Sequence, residues 1–92
     1  RLVLFGAGHI ALYLSKIAST CDFEVFVYDD RAEYAKKDRF PEARSVEVVD
    51  FRRLPSVIGW GDYVVIATSS NLSDKLALAA SLRAKPRFIG LV

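Results

Sequence analysis

The segment Gly6-Ala7-Gly8-His9-Ile10-Ala11 has the spacing Gly-x-Gly-x-x-Ala, which is typical of a turn that binds phosphate. In such a turn the first glycine allows a sharp bend and the second lets a phosphate approach the main chain, while the small third residue lets helix pack on strand. The N–H groups that begin the following helix carry a partial positive charge, which attracts anions. Gly6, Ala7, Gly8, His9 and Ile10 are therefore the first candidate binding residues.

An acidic residue follows the turn at the distance that a dinucleotide site requires, about 20 positions. Asp29 comes directly after the apolar and aromatic segment 23–28, where it would accept hydrogen bonds from a ribose. Asp30 and Arg31 continue the same loop and are candidate binding residues too. His9 is either a surface residue that starts the helix or a contact to the bound anion. A turn of this kind that binds no ligand is the alternative interpretation.

Apolar segments alternate with helical patterns along the chain, and this alternation predicts a parallel sheet with right-handed crossovers. Strands are expected at 2–5, 23–28, 45–49, 63–67 and 87–92, helices at 9–20 and 72–83, and a short helix or turn at 51–58. Pro41 excludes a long regular helix in the polar segment 31–44. We expect an α/β fold, a Rossmann-like doubly wound layer of about five parallel strands with helices on both faces.

Both predicted helices show apolar residues that share one side. In the first helix these are Ile10, Leu14, Ile17 and Ala18; in the second they are Leu72, Leu76, Ala79, Ala80 and Leu82. This is the pattern of an amphipathic helix.

Doubly wound sheets bind ligands at the carboxyl ends of the strands, where the strand order reverses. This rule selects the loops after the first, second and fourth predicted strands, which are 6–10, 29–31 and 68–71. Thr68, Ser69 and Ser70 carry hydroxyl groups that can hydrogen-bond a phosphate or a pterin. The alternative is that residues 69–73 cap the helix that begins near Leu72.

The composition indicates one soluble globular domain of 92 residues, 52% hydrophobic and 26% charged, with a net charge of +2. The charges are interspersed and no apolar run is long enough to cross a bilayer, so we expect neither a nucleic-acid nor a membrane partner. Cys21 is the only cysteine, which excludes an internal disulfide and a cysteine-cluster metal site and favours a cytoplasmic setting. We expect Cys21 to be a small buried apolar residue.

The two ends of the chain lie in or next to strand-like segments, with Arg1 before the first strand and Val92 inside the last. We therefore expect residues 1–92 to be a single Rossmann-like domain of a longer protein. An exposed fifth strand predicts association into a homodimer or a larger assembly.

The glycine turn, Asp29-Asp30-Arg31 and the segment 39–43, Arg-Phe-Pro-Glu-Ala, together resemble the C-terminal Rossmann domain of the xanthine dehydrogenase accessory factor (XdhC/CoxI) family. The later segments DYVVIATSS and RFIGLV are similar as well, so the resemblance covers nearly the whole chain. It implies a maturation factor that binds molybdenum cofactor (molybdopterin), holds it while its terminal sulfur is installed, and delivers it. The implied partners are the apo form of a xanthine dehydrogenase-type enzyme and a sulfur-donating cysteine desulfurase.

The same resemblance places Gly6, Gly8 and His9 at the phosphate end of the ligand and residues 29–31 at its rim. The family often has a basic residue and a histidine where this chain has Ser69-Ser70-Asn71. These hydroxyl and amide groups do not titrate near neutrality.

Two alternatives share the glycine turn and the acidic strand end: an NAD(P)-binding domain of an oxidoreductase, and a ligand-sensing regulatory module. No constellation of residues suited to hydride transfer stands out in the sequence. This favours a cofactor chaperone without a catalytic centre or a metal site of its own. A pterin and a dinucleotide both present a phosphate to the turn, so the sequence leaves molybdenum cofactor and NAD(P) open as ligands.

Overall fold

A single five-stranded parallel sheet forms the centre of the domain, in a computed structural model that describes all 92 residues. Its strands are β1 (Leu2–Phe5), β2 (Val25–Asp29), β3 (Ser45–Val48), β4 (Tyr63–Ile66) and β5 (Phe88–Leu91). The helices are α1 (His9–Thr20) and α2 (Asn71–Ala84), with 3-10 turns at Lys37–Arg39 and Phe51–Arg53. The strand order β3-β2-β1-β4-β5 reverses between β1 and β4. The predicted Rossmann-like fold is confirmed.

The central strand β1 is buried on both faces, as its uninterrupted apolar sequence requires. Leu2 and Leu4 belong to the core on the side of α1, whereas Val3 and Phe5 belong to the core on the side of α2. Successive side chains of a strand point to opposite faces, so a run without polar residues serves two cores. The two helices therefore cover opposite faces of the sheet.

The fully buried residues of both helices are small, and only part of each apolar face expected from the sequence is buried, including Ala18 and, partly, Leu14 and Leu76. The buried residues are Ala11, Ser15 and Ala18 in α1 and Ser73, Ala77 and Ser81 in α2. Ile10, Ile17, Leu72 and Leu82 are exposed instead. Small side chains let a helix axis lie close to the strands, and the leucines beside them are partly buried against the two cores: Leu12 and Leu14 in α1, Leu76 and Leu78 in α2.

An irregular segment covers the α1 face of the sheet between β2 and β3, where many doubly wound folds have a helix. Phe40 is completely buried in the core beneath α1, and Ala43 lies beside it. Glu42 accepts a hydrogen bond from the buried hydroxyl of Ser15 in α1. The absence of a long helix in this segment, predicted from Pro41, is confirmed.

Two further sequence expectations concern the surface. Cys21 is exposed and is the C-cap of α1, so the expectation of a buried cysteine was wrong. Neither helix combines the length and the apolar character needed to cross a membrane.

Gly6 connects β1 to the turn at a place where no side chain fits. Its φ of +110° lies in the region that favours glycine, and a Cβ there would lie 2.1 Å from the carbonyl oxygen of Ala67. The contact joins the end of β1 to the end of β4, and it allows the two loops that follow these strands to lie side by side.

We expect Gly6→Ala to lower the free energy of unfolding by about 2 kcal/mol or more, because the added methyl group must displace backbone atoms at a strained φ. Urea unfolding followed by circular dichroism measures the loss. Gly8→Ala is the matched control, since a Cβ at Gly8 meets nothing within 4 Å and its φ is −86°. Equal effects of the two substitutions would contradict this account of Gly6.

Candidate functional site

The glycine turn lies at the carboxyl end of β1, between the ends of β2 and β4. Phe5 is in register with Tyr28 of β2 and with Ile66 of β4. The residues that follow are Gly6, Asp29 and Ala67, and they form the rim of the sheet at the point where the strand order reverses. This is the position at which doubly wound sheets bind their ligands.

Four consecutive backbone N–H groups at the start of α1 have no acceptor within the chain. They belong to Gly8, His9, Ile10 and Ala11; the first intrahelical bond runs from the N–H of Leu12 to the carbonyl of Gly8. The N-cap residue Gly8 has no side chain to cap the helix, and the first turn holds no acidic residue. The side of Gly8 that a Cβ would occupy is open for at least 4 Å. The helix therefore begins with free donors and its positive end beside an open space at Gly8, a combination that suits an anion.

The second helix begins differently, with a side-chain cap and an acidic residue in its first turn. Ser70 is the N-cap of α2, and its Oγ accepts from the N–H of Ser73 at 3.1 Å. Asp74 in the first turn accepts from both the N–H and the hydroxyl of Thr68. Ser70 thus has the capping role that the sequence offered as an alternative for this loop, and the hydroxyl of Thr68 is engaged with Asp74. Ser69 is exposed.

Asp29 is almost completely buried, with 1% of its surface exposed, and its carboxylate is saturated with donors. Oδ1 accepts from the backbone N–H of Arg31 at 2.9 Å and from Nε of Arg31 at 3.1 Å. Oδ2 accepts from the N–H of Ala7 at 2.7 Å and from Nη2 of Arg31 at 2.9 Å. One carboxylate therefore joins the glycine turn to the loop after β2.

The charge state of Asp29 follows from these contacts. Burial opposes its ionisation, but the hydrogen bonds from Arg31 and Ala7 outweigh burial and lower the pKa of the Asp29 carboxyl. Asp30 is exposed to solvent, and the pKa of its carboxyl shifts in the opposite direction. Partial burial and the neighbouring Asp29 raise the pKa of Asp30.

Arg39 holds the turn from the other side, a role that the sequence did not reveal. Its Nη1 donates to the carbonyls of Ala7 and Tyr34, each at 2.6 Å. The ring of Tyr34 lies against both guanidinium groups, 3.8 Å from Arg31 and 5.1 Å from Arg39 measured to the ring centroid. Because the C=O and N–H of a trans peptide point in opposite directions, fixing the Ala7 carbonyl on Arg39 also fixes the direction of the Gly8 N–H.

The remaining predicted residues lie at the mouth of this turn or away from it. His9 and Ile10 are exposed on the first turn of α1. Cys21 is at the far end of that helix, about 18 Å away along its axis. A separate cleft of about 220 Å³ lies between the segment 54–58 and the end of α2, and none of the candidate residues lines it. No group of three or more His, Cys, Asp or Glu side chains is arranged to hold a metal ion.

The fold and the turn define a Rossmann-type domain whose first helix begins at a glycine turn. The family model of the XdhC Rossmann domain matches residues 2–92. The chain belongs to this family, which confirms the resemblance found in the sequence.

Among solved structures, the one described next is similar over the whole chain. It is a crystal structure from Bacillus halodurans described as a xanthine dehydrogenase, with 33% sequence identity and a TM-score of 0.87. The match covers 100% of this chain and 28% of that protein, so this chain spans little more than a quarter of its length. No curated protein sequence gives a significant match.

The lowered pKa of Asp29 predicts a dependence of stability on pH. A carboxyl with a lowered folded-state pKa stabilises the fold above its unfolded pKa of about 3.9, and the contribution is lost as the pH falls through the folded value. We expect Asp29→Asn to lower the free energy of unfolding at pH 7 by about 2 kcal/mol. The difference from the wild type should shrink below pH 4.

Urea unfolding at pH 7 and pH 3 measures both differences. Asp30→Asn is the control, with an expected change in stability of the opposite sign. The raised pKa of Asp30 means that its ionised form is disfavoured in the folded state. This substitution should leave the stability at pH 7 unchanged or increase it. A pH-independent loss in Asp29→Asn would show that its charge contributes nothing.

Proposed function

We propose that this domain binds molybdenum cofactor by its phosphate and serves in the maturation of xanthine dehydrogenase-type molybdenum hydroxylases. The observation that carries the proposal is the row of four N–H groups from Gly8 to Ala11 that have no acceptor within the chain, beside the open Cβ position of Gly8. A terminal phosphate matches these donors in charge and in hydrogen-bonding capacity. Membership of the XdhC Rossmann domain family supports the assignment of the cofactor.

The residues present fit a phosphate at one end of a ligand. The turn supplies backbone donors and the positive end of α1, worth about 0.3–1 kcal/mol to an anion and up to about 2 kcal/mol when partly buried. His9 and Ile10 line the mouth, and Ser69 stands exposed on the neighbouring loop after β4. When bound, the cofactor would supply the molybdenum chemistry of the recipient enzyme, and this domain would only hold and present it.

The role as a cofactor chaperone implies further partners. We propose that the domain acts in the cytoplasm as part of a homodimer. It would receive sulfur for the cofactor from a cysteine desulfurase and deliver the product to an apo-enzyme of the xanthine dehydrogenase type. A nicotinamide dinucleotide is the second candidate ligand, since the spacing Gly-x-Gly-x-x-Ala and Asp29 at a strand end are also those of a dinucleotide site.

Gly8→Val should abolish binding of molybdenum cofactor while the fold remains intact. The side chain would occupy the open space beside the four N–H groups, and a Cβ there meets no atom of the chain. Titration calorimetry with the cofactor measures the loss, and circular dichroism checks the fold. Cys21→Val, at the opposite and exposed end of the same helix, is the control and should bind as the wild type does.

Unchanged binding in Gly8→Val would refute the phosphate site. Tight binding of NAD together with no binding of molybdenum cofactor would leave the turn as an anion site and refute the chaperone assignment.

A further inference from the structure

We propose that Arg31 determines the ligand specificity of the glycine turn by closing Asp29 to ribose, so that the turn takes a phosphate that has no recognised ribose beside it. The proposal rests on the proposed function of the turn as an anion site and adds the class of ligand that it excludes. It follows from the hydrogen bonds at the end of β2.

A carboxylate that binds the two hydroxyls of a ribose must have acceptor positions free. An ionised carboxylate has about four such positions. In Asp29 the chain itself fills four: three donors come from Arg31 and one from Ala7. With 1% of its surface exposed, Asp29 also gives a ribose no room to approach.

The positive charge of Arg31 is compensated by the same carboxylate. In dinucleotide sites that select a 2′-phosphate, an arginine near the strand end supplies the positive charge. Here the guanidinium of Arg31 lies 2.9 Å from the carboxylate of Asp29 and stacks against the ring of Tyr34. The pair is neutral as a unit, so Asp29 is not a free carboxylate for a diol and Arg31 is not an uncompensated cation for a 2′-phosphate.

Titration calorimetry at fixed ionic strength measures the dissociation constants of four probes for the wild-type domain: inorganic pyrophosphate, ADP, 2′,3′-dideoxy-ADP and 2′-phospho-ADP. ADP and its dideoxy analogue should bind with dissociation constants within about threefold of each other, and the 2′-phosphate should bring no gain beyond that range. ADP that binds more than tenfold tighter than the dideoxy analogue would overturn the proposal, whether Asp29 or the exposed Asp30 accepts the diol.

Arg31→Ala tests the role of the arginine directly. It removes two of the four donors to Asp29 and opens the loop, so the preference for ADP over the dideoxy analogue should rise at least tenfold. Arg31→Lys keeps the positive charge beside Asp29 and should keep the ratio near one. A merely structural role would change the affinity for all probes together and leave the ratio unchanged, which would refute the assignment. If Arg31→Ala does not fold, the wild-type ratio alone decides.

The outcomes separate this proposal from the one on which it rests. Binding of pyrophosphate with a strong dependence on the diol would leave the anion site standing and overturn only the specificity. Binding of neither pyrophosphate nor ADP would overturn both.

Discussion

A buried carboxylate, Asp29, is the constraint on which the candidate site depends. It joins the N–H of Ala7 in the first loop to the backbone and side chain of Arg31 in the second. An unpaired buried charge costs several kcal/mol, so the carboxylate and its donors must be present together. The conformation of the glycine turn is therefore set by a residue outside the turn. Asp29 lies 22 residues after Ala7 in the chain, at the end of the neighbouring strand β2.

The segment 39–43 completes this arrangement. Arg39 fixes the carbonyl of Ala7, Phe40 fills the core beneath α1, and Glu42 binds Ser15 of that helix. A short irregular segment thus performs the packing that a helix performs elsewhere, and it brings an arginine to the turn as well. Its residues support the site without lining it, which gives a physical reason for the specific sequence of this segment.

The sequence predicted the architecture because hydrophobic periodicity and turn chemistry are local. The buried strand β1, the positions of Gly6 and Gly8 and the break at Pro41 all follow from neighbouring residues. The direction of the Asp29 side chain does not follow from neighbouring residues. The pattern places an acidic residue at a strand end, but it does not indicate whether the carboxylate faces a ligand or the chain. The faces of α1 were misjudged for a similar reason: closeness to the sheet selected Ala11 and Ser15 over the larger Ile10 and Ile17.

The contrast between the two helix starts links ligand binding to folding. At the start of α2 the N–H of Ser73 is capped by Ser70 and the first turn holds Asp74, whereas four N–H groups at the start of α1 have no acceptor within the chain. An anion bound there, as we propose, would bind only the folded chain, so its binding free energy would add to the free energy of unfolding, by about 2.7 kcal/mol at about 100 times the dissociation constant. For a domain of this size that is a large share of the total. A carrier of the proposed kind would therefore resist proteolysis best while it is loaded, and its lifetime in the cell would follow the supply of its cargo.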